Sequence, residues 1–339
     1  LALSPTDDQQ PLTETYSFSV SQRMPFNSVF DISYVGNQSS NLLTDNASQN
    51  VVQSEDLRDI NAIPIGSYFK PDPNPASPYY GQSYSPYSPP NSATLSEQIS
   101  NDYRPYPEYA HIGLARHITY ANYNALQATF NRQKGSLNYG LNYTWSKAQG
   151  VRGAYVNGTA GDPTNLRANY GPLAFDRTHI IAASYSWDEG ARFHFGNRFL
   201  TGLSNQWLIS GITNFQSGPN LQAVYYPNLL MSGYATSSYG GNTCTAGTAA
   251  GQTQACVIDN THMLGTPDVM LQPILRAGNG CPSGDPSANL AKHQYVNGNC
   301  FGLPAYGVNG QTNLGYMRGP AFFNSDLTLE KTIPLKEAR

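Results

Sequence analysis

The stretch that decides the fold is residues 123–147, YNALQATFNRQKGSLNYGLNYTWSK, which reads as two strands joined by a tight turn. In its second half apolar residues alternate with polar ones, and the two sets are Leu137, Tyr139, Leu141, Tyr143 and Trp145 against Asn138, Gly140, Asn142 and Thr144. Side chains of a strand point alternately to its two faces, so this strand has one apolar and one polar face. The apolar face ends in Tyr143 and Trp145, whose amphipathic rings favour a membrane–water boundary. The pattern predicts a barrel strand of roughly 9–11 residues that crosses an outer membrane, although a soluble sandwich can show the same alternation.

The composition agrees with an all-β membrane protein. The chain has 339 residues, enough for one large barrel or two ordinary domains. Only 12% of the residues are charged, against about a quarter in soluble domains. The net charge of −3 and the lack of a Lys/Arg cluster give no reason to expect nucleic acid as a partner. A mean hydropathy of −0.44, with no apolar run near the roughly 18 residues that a spanning helix needs, excludes a helical membrane protein.

The same alternation recurs along the chain and predicts about seven strands. Residues 13–20 and 28–35 are a predicted hairpin. The first strand of the central hairpin is expected to begin near Ile112, and its turn falls at residues 133–136. Three single strands complete the set, at residues 178–187, 206–216 and 322–333.

The connections between these strands alternate in length. Three are long and loop-like, at about residues 37–110, 148–172 and 217–318. Outer-membrane barrels have short periplasmic turns and long extracellular loops in just this alternation. The alternation also sets the direction of the strands. It places Tyr143 and Trp145 at the outer membrane boundary, and Tyr185, Trp187 and Trp207 at the inner one.

The cysteines indicate an oxidising compartment. Cys244, Cys256, Cys281 and Cys300 all lie in one Gly-, Thr- and Ser-rich segment and show no metal-ligand spacing. An even count in such a segment predicts two disulfides. Pairing of sequence neighbours, Cys244 with Cys256 and Cys281 with Cys300, is the simplest of three connectivities. Four free thiols are the alternative.

Six segments, taken in order, resemble the C-terminal barrel of TonB-dependent outer-membrane receptors. The likeness is greatest to the Oar-like group, whose members usually carry a carboxypeptidase-regulatory-like domain at the N-terminus. The segments are FDISYVGNQSSNL, YANYNALQATFNR, LNYGLNYTWSKA, YGPLAFDRTHIIAASYSW, WLISGITNFQSGPNL and RGPAFFNSDLTLEKTIPL. They span about residues 11–339, with the long loops unmatched. Each segment alone is a weak signature, and their colinear order makes the likeness specific.

The resemblance implies a closed barrel of about 22 strands around a plug. In this family the N-terminal plug binds substrate, and a short segment engages the energy-coupling protein TonB. Further strands and a terminal aromatic residue follow the last segment matched here. Residues 1–11 also lack the basic start and apolar core of a signal peptide, so either a signal peptide was removed or the chain begins within a longer protein. The chain is therefore predicted to be a barrel fragment without plug, coupling segment and final strands.

A fragment of about seven strands is predicted to form an open sheet with large loops at one rim. Both outer strands should then lack a second neighbour, because an odd number of strands does not close in the usual bacterial pattern. Apolar residues of those strands should look exposed, notably Tyr16, Phe18, Leu327 and Leu329.

Candidates for chemistry are few. Asp176, Arg177 and His179 in FDRTH offer an acid, a base and an imidazole for proton transfer. A polar strand entrance is the alternative, and the resemblance places them there. The six His residues show no HxH or HExxH spacing, and the chain has no Gly-rich phosphate loop and no GxSxG. Neither an enzyme activity nor a metal or cofactor is expected.

Two regions are candidates for ligand contact. In the Tyr- and Pro-rich loop at residues 71–90, exposed tyrosines can stack on a glycan or peptide, or the loop can simply pack on its neighbours. The tyrosines concerned are Tyr79, Tyr80, Tyr84 and Tyr87. Polar-face residues offer hydrogen bonds to a passing solute or solvate the barrel wall, and these are Asn131, Asn138, Asn142 and Thr144.

The sequence thus favours part of the barrel of a receptor/transporter for energised uptake. Its expected partners are outer-membrane lipid, TonB through the missing N-terminal part, and an unknown ligand. The alternative is a secreted or surface-exposed β-rich adhesin or structural protein with disulfide-stapled loops. A passive porin is a weaker third hypothesis. The sequence preceding residue 1 separates receptor from porin, since only a coupled receptor needs a plug.

Overall fold

A computed structural model shows one large antiparallel sheet. It describes residues 2–3, 6–44, 58–77, 80–81, 101–151, 162, 164–173, 175–190, 192–221, 229–230, 236–239, 242–245, 257–258, 263–269, 271–288, 290–291, 294–310 and 317–333. Seven long strands form the path of the sheet: β1 Leu12–Met24, β2 Ser28–Thr44, β3 Gly113–Arg132, β4 Leu137–Val151, β5 His179–Asp188, β6 Trp207–Gln216 and β7 Phe322–Lys331. Their order in the sheet is their order in the chain. The expected all-β class and the count of about seven strands are confirmed.

The two predicted hairpins are present, and the first is longer than expected. β3 and β4 pair from Ala121 with Gly150 down to Arg132 with Tyr139, around the predicted turn. β1 runs on to Met24, so the expected link after residue 20 is strand. The turn itself is the 3-10 segment Pro25–Asn27, in which Phe26 and Asn27 have positive φ angles of 64° and 59°. This tight turn lets the pairing continue to its last residue.

The long strands also extend further into the predicted loops. β2 continues to Thr44, so the first loop begins eight residues later than the expected 37. β4 reaches Val151 and pairs there with the short strand Tyr170–Pro172. The residues added to β2 are mostly Asn, Ser and Gln, whereas those added to β4 include the buried Ala148 and Val151. Ladder hydrogen bonds hold both strand ends, burial adds to them at the end of β4, and alternation of polarity did not reveal either extension.

The remaining elements are short. The α-helix α1 spans Arg198–Ser204, and residues 101–102 and 263–264 are also helical. Further 3-10 turns are Ser67–Phe69, Leu166–Asn169 and Gly298–Cys300. The other short strands are Ala2–Leu3, Arg58–Asp59, Asn220–Leu221, Leu229–Leu230, Thr236–Tyr239, Asn242–Thr245, Val257–Ile258, Ile274–Leu275, Phe301–Gly302 and Met317–Arg318. Within the described ranges, no helix has the length and apolarity to span a membrane.

The buried core lies in the loops rather than in the sheet. All long connections leave the same end of the sheet, and we call their described residues between 58 and 112, 162 and 178, and 217 and 321 the loop layer. One cluster joins Met263, Leu264, Val269 and Leu271, with Ile65, Leu303 and Tyr306 packed against it. A second joins Ile63 and Tyr68 with Phe69 and Tyr103. The loops therefore fold into a layer with its own interior.

The sheet is open in the described part of the chain. β1 pairs with β2 alone and β7 with β6 alone. Large apolar side chains on these outer strands are exposed: Tyr16 by 47%, Phe18 by 71%, Leu327 by 68% and Leu329 by 59%. These are the residues that the sequence predicted to be exposed on an open sheet.

Candidate functional site

The register gathers the apolar side chains of all seven strands on one face of the sheet. Leu126 of β3, for example, lies between Tyr34 of β2 and Trp145 of β4. Ile209 of β6 lies between Trp187 and Leu329 in the same way. We call this the apolar face; its large members include Phe18, Val20, Phe30, Ile32, Tyr34, Leu126, Phe130, Leu137, Tyr139, Leu141, Tyr143, Trp145, Ile181, Tyr185, Trp187, Ile209, Phe215, Phe323, Leu327 and Leu329.

Aromatic side chains mark both ends of the apolar face. Tyr143 and Trp145 lie towards the loop layer, where the Tyr143 hydroxyl is 2.9 Å from the His179 ring. Tyr185, Trp187 and Trp207 lie towards the turns at the opposite end. The strand from Leu137 to Trp145 rises about 27 Å at 3.3–3.4 Å per residue, close to the roughly 25 Å apolar band of a membrane barrel once strand tilt is allowed for. Placement of these rings at the two membrane boundaries stays a prediction.

Two glycines on the apolar face make room for tyrosine rings. A Cβ on Gly36 would overlap the ring of Tyr16 on the neighbouring strand, and a Cβ on Gly211 would overlap the ring of Tyr185. The hydroxyls of Tyr16 and Tyr34 both donate to the side-chain oxygen of Asn124, at 3.1 and 2.8 Å. The rings of Tyr16 and Tyr185 thus pack on the backbone of Gly36 and Gly211, which have no side chain of their own.

The opposite face of the sheet is a polar wall. A depression of about 450 Å³ lies on it near the β3–β4 turn and is lined by Asn131, Asn138, Asn142, Ser184 and Asp326, among others. The predicted polar-face residues Asn131, Asn138 and Asn142 thus share one site. Thr144 points to the same side, between Gln127 and Ile180, and is not part of the lining. Amides, hydroxyls and a carboxylate there can bind the polar groups of a solute or solvate the wall.

At the rim of the loop layer, three distant segments meet at one buried carboxylate. Asp176 is 1% exposed, and it accepts a hydrogen bond from the Ala148 N–H at 2.6 Å and one from Arg318 at 2.5 Å. Arg318 also donates to the backbone oxygens of Asp176 and Gly218. Next to this junction the strand Asn220–Leu221 pairs with Met317–Arg318. The junction ties β4 to the loops that follow β4 and β6.

The FDRTH cluster is therefore divided between two environments. The carboxylate of Asp176 is turned into the junction. The ring of His179 instead stacks on that of Tyr143 on the apolar face, with centroids 6.1 Å apart. This arrangement holds an acid and an imidazole in separate contacts rather than at one shared substrate position.

The comparison with protein families agrees with this geometry. The family model described as outer membrane beta barrel domain matches residues 2–339. The chain belongs to this family. Searches of curated proteins and of solved structures find no match. This outer membrane beta barrel domain is located in the outer membrane, which is consistent with contact between its wall and membrane lipid.

The barrel domain carries a polar network in its loop layer that the sequence did not indicate. Arg104 and Asp268 form an ion pair at 2.8 Å, with side chains 4% and 6% exposed. Arg104 also donates to the Asn61 oxygen at 2.7 Å, and Asp268 accepts from the Ile63 N–H at 2.8 Å. The partners of this network lie up to 205 residues apart in sequence. No local pattern signals such a pairing.

A possible metal-ligand set adjoins that network. Asp59, His111 and Asp268 bring their ligand atoms within 4.8 Å of one another. The carboxylate of Asp59 already accepts from the N–H groups of Asn61 and Ile112 and lies 2.7 Å from the His111 ring. Asp268 has the Arg104 cation beside it. Both carboxylates are thus already engaged by groups of the barrel domain itself.

The predicted ligand-contacting loop is described only in part. Tyr80 is 59% exposed and pairs with Asp72 through a β-bridge, whereas Tyr79, Tyr84 and Tyr87 lie outside the described residues. Asp72 accepts a hydrogen bond from the Asn74 N–H at 2.9 Å. Burial, together with the charges of Asp72 and Asp102, raises the pKa of Tyr103 to about 12. The described start of this loop therefore packs into the loop layer.

The cysteines of the barrel domain all fall in the last long loop. Cys281 and Cys300 form a disulfide with their Cα atoms 5.2 Å apart, and both are buried. Cys244 belongs to the short strand Asn242–Thr245 and lies opposite Ser237. Its predicted partner Cys256 lies outside the described residues. The predicted disulfide between Cys281 and Cys300 is therefore present, and the one between Cys244 and Cys256 stays a prediction.

Proposed function

We propose that this barrel domain is part of a TonB-dependent outer-membrane receptor/transporter that takes up a substrate by energised transport. The observation that carries the proposal is the junction at Asp176. It joins four of the six segments that resemble this receptor family, those containing YTWSKA, FDRTH, QSGPN and RGPAFF. A resemblance spread over separate stretches thus corresponds to one contact in space, as expected if the segments were inherited together.

The two faces of the sheet support transport rather than adhesion. An adhesin sandwich packs one face of each sheet into a dry core, as soluble sandwiches do. Here the face opposite the apolar one carries amides and hydroxyls and a depression of about 450 Å³. Such a wall suits a water-filled lumen. The proposal assigns binding and passage to this wall and no catalysis, because Asp176 is engaged by Ala148 and Arg318.

The test uses the full-length protein in its native host. Crosslinkers placed along its N-terminal region should capture TonB in living cells. Cells that carry the protein should also remove at least one solute from their medium faster than deletion cells. An uncoupler of the proton-motive force should abolish that difference. Solute removal that persists with the uncoupler and without a TonB crosslink would mean a passive pore. Cell attachment without any removal would mean an adhesin.

A further inference from the structure

The connection between β5 and β6 differs from the other turns at its end of the sheet. It spans residues 189–206, whereas the β1–β2 and β3–β4 turns have three and four residues. We call it the inner-rim segment. It exposes five large apolar side chains, each by 43–74%: Phe193, Phe195, Phe199, Leu200 and Leu203. Several exposed large apolar side chains within one short segment mark a contact surface.

The inner-rim segment is held in shape by its own polar groups. Asn205, 5% exposed, accepts from the Phe193 N–H at 2.7 Å and donates to the Phe193 and Thr201 oxygens. Thr201 accepts from the Phe195 N–H at 2.9 Å and donates to the Phe195 oxygen at 3.0 Å. Asn197 caps α1 by accepting from the Phe199 N–H. These bonds satisfy backbone groups of Phe193, Phe195, Phe199 and Thr201 within the segment, which lowers the cost of bringing it close to lipid.

The segment is attached on the apolar side of the sheet. The indole N–H of Trp207 donates to the Leu203 oxygen at 2.8 Å. The ammonium of Lys331 donates to the Gly202 and Asn205 oxygens and lies 4.7 Å from the Trp207 ring centroid. Trp207 and Lys331 are paired in register, on the same face as Leu329. The exposed cluster therefore extends the apolar face of the sheet beyond Trp187 and Trp207, at the end opposite the loop layer.

The charge of the segment is suited to a phospholipid surface. Residues 189–206 contain two Arg and one His against a single acidic residue, Glu189. Segments that lie in a membrane interface combine aromatic and leucine side chains with basic residues in this way. Phe193 and Phe195 stack with centroids 6.1 Å apart, so they present one apolar surface rather than two separate rings.

We propose that the inner-rim segment lies in the inner-leaflet boundary of the outer membrane and anchors the barrel domain there. The occupant of its apolar surface is phospholipid. The Phe and Leu side chains enter the acyl boundary, and the side chain of Arg192 remains at the headgroups. The proposal goes beyond the transport function, because it holds for a receptor and for a passive barrel alike.

Spin-label accessibility in the full-length protein in phospholipid vesicles tests this. A nitroxide attached through Phe199→Cys should collide several-fold more with oxygen, which concentrates in lipid, than with a water-soluble nickel complex. Leu141→Cys on the apolar face is the lipid reference, and Ser136→Cys in the β3–β4 turn is the water reference. The parent protein, treated identically, corrects for labelling of native cysteines.

Two results would overturn the proposal. Accessibility to nickel equal to that at Ser136 would place Phe199 in water. Low accessibility to both reagents would mean that protein covers the segment. A second variant separates anchoring from folding. It combines Phe193→Ser with Leu200→Ser and carries the nitroxide at Leu203→Cys. The collision rate of this label with the nickel complex, relative to oxygen, should rise several-fold. Heat-resistant migration of the folded barrel should remain unchanged, and an unchanged relative collision rate would also count against the proposal.

Discussion

The sheet and the loop layer of this protein are stabilised in opposite ways. The largest fully buried side chains, among them Ile63, Met263, Leu264 and Leu271, all lie in the loop layer. The buried apolar residues of the long strands are only Ala125, Ala148 and Val151 within the described ranges. The strands instead carry the long ladders of backbone pairs, up to thirteen in a row between β1 and β2.

The difference reflects what each region has as its surroundings. A barrel wall has lipid on one side and water on the other, so its side chains need no protein partner and its backbone needs full pairing. The loop layer projects into water and has to build a conventional core with satisfied buried polar groups. A perturbation should therefore act on one region and leave the other nearly unchanged.

The largest effect is expected where an ion pair is broken inside the loop layer. Arg104→Met leaves the Asp268 carboxylate buried without its cation, since both side chains are under 7% exposed. Removing one partner of a buried pair costs about 3–5 kcal/mol. Amide hydrogen exchange should accelerate at Ile63 and its neighbours but not in β4. Adding Asp268→Leu should restore much of the protection. Equal acceleration in β4 would contradict the independence of the two regions.

The wall should respond to the face on which a charge is placed. Leu141→Arg puts a guanidinium on the apolar face and should lower folding stability by roughly 2–4 kcal/mol if it lies near the membrane midplane. Asn142→Arg, one residue away on the polar wall, is the matched control and should cost little. The two variants are compared by urea titration of the full-length protein in vesicles. The folded fraction is measured on gels as the protein that keeps its folded mobility when it is not heated. Similar costs for both variants would argue against the assignment of faces.

Disulfides should support the loop layer alone. Mass mapping without reduction should find Cys281 linked to Cys300 and Cys244 linked to Cys256. Reduction should destabilise the loop layer by roughly 2–4 kcal/mol, the usual worth of a disulfide that closes a short loop, while the barrel keeps its heat resistance. Four alkylatable cysteines in the exported protein would rule out both pairings.

The smallest effect is a pH dependence of the loop layer. The pKa of Tyr103 is raised from 10.0 to about 12, so the folded state holds the phenol proton more tightly than the unfolded chain. The stabilisation of the folded state that this protonated phenol provides is complete below pH 10 and is lost as the pH rises from 10 to 12. The stability of the loop layer against pH can be followed by near-UV circular dichroism, and Tyr103→Phe should remove its fall between pH 10 and 12. Tyr80→Phe, at an exposed ring, is the control. An unchanged profile in Tyr103→Phe would disprove the role of this group.

The strands of the wall were predictable because their signal is local. Each long strand alternates residues of two kinds, and a period of two is visible without knowing the partner strand. The extensions of β1 to Met24 and of β2 to Thr44 were missed, since polar residues on both sides of a strand leave no alternation to detect. The turn at residues 133–136 was correct to the residue.

The loop layer and the inner-rim segment were not predictable in the same way. Asp176 and Arg318 lie 142 residues apart, and neither neighbourhood reveals the other. The helix α1 has seven residues and contains Gly202, too little for a helical period to appear. Asn197 is its one local signal, as an N-cap ahead of an apolar run. Contacts at long range have to be seen in three dimensions.

The pairing of Asn220–Leu221 with Met317–Arg318 has a consequence for how such proteins diversify. The chain leaves the rim and returns to it at adjacent backbone positions, and Arg318 closes the gap by holding Gly218 and Asp176. An insertion whose two ends already meet places no strain on its host when its contents change. The loop between Leu221 and Met317 also supplies Met263, Leu264 and Asp268 to the loop layer, so replacing it should remove part of that layer's core and leave the strands beneath it in register.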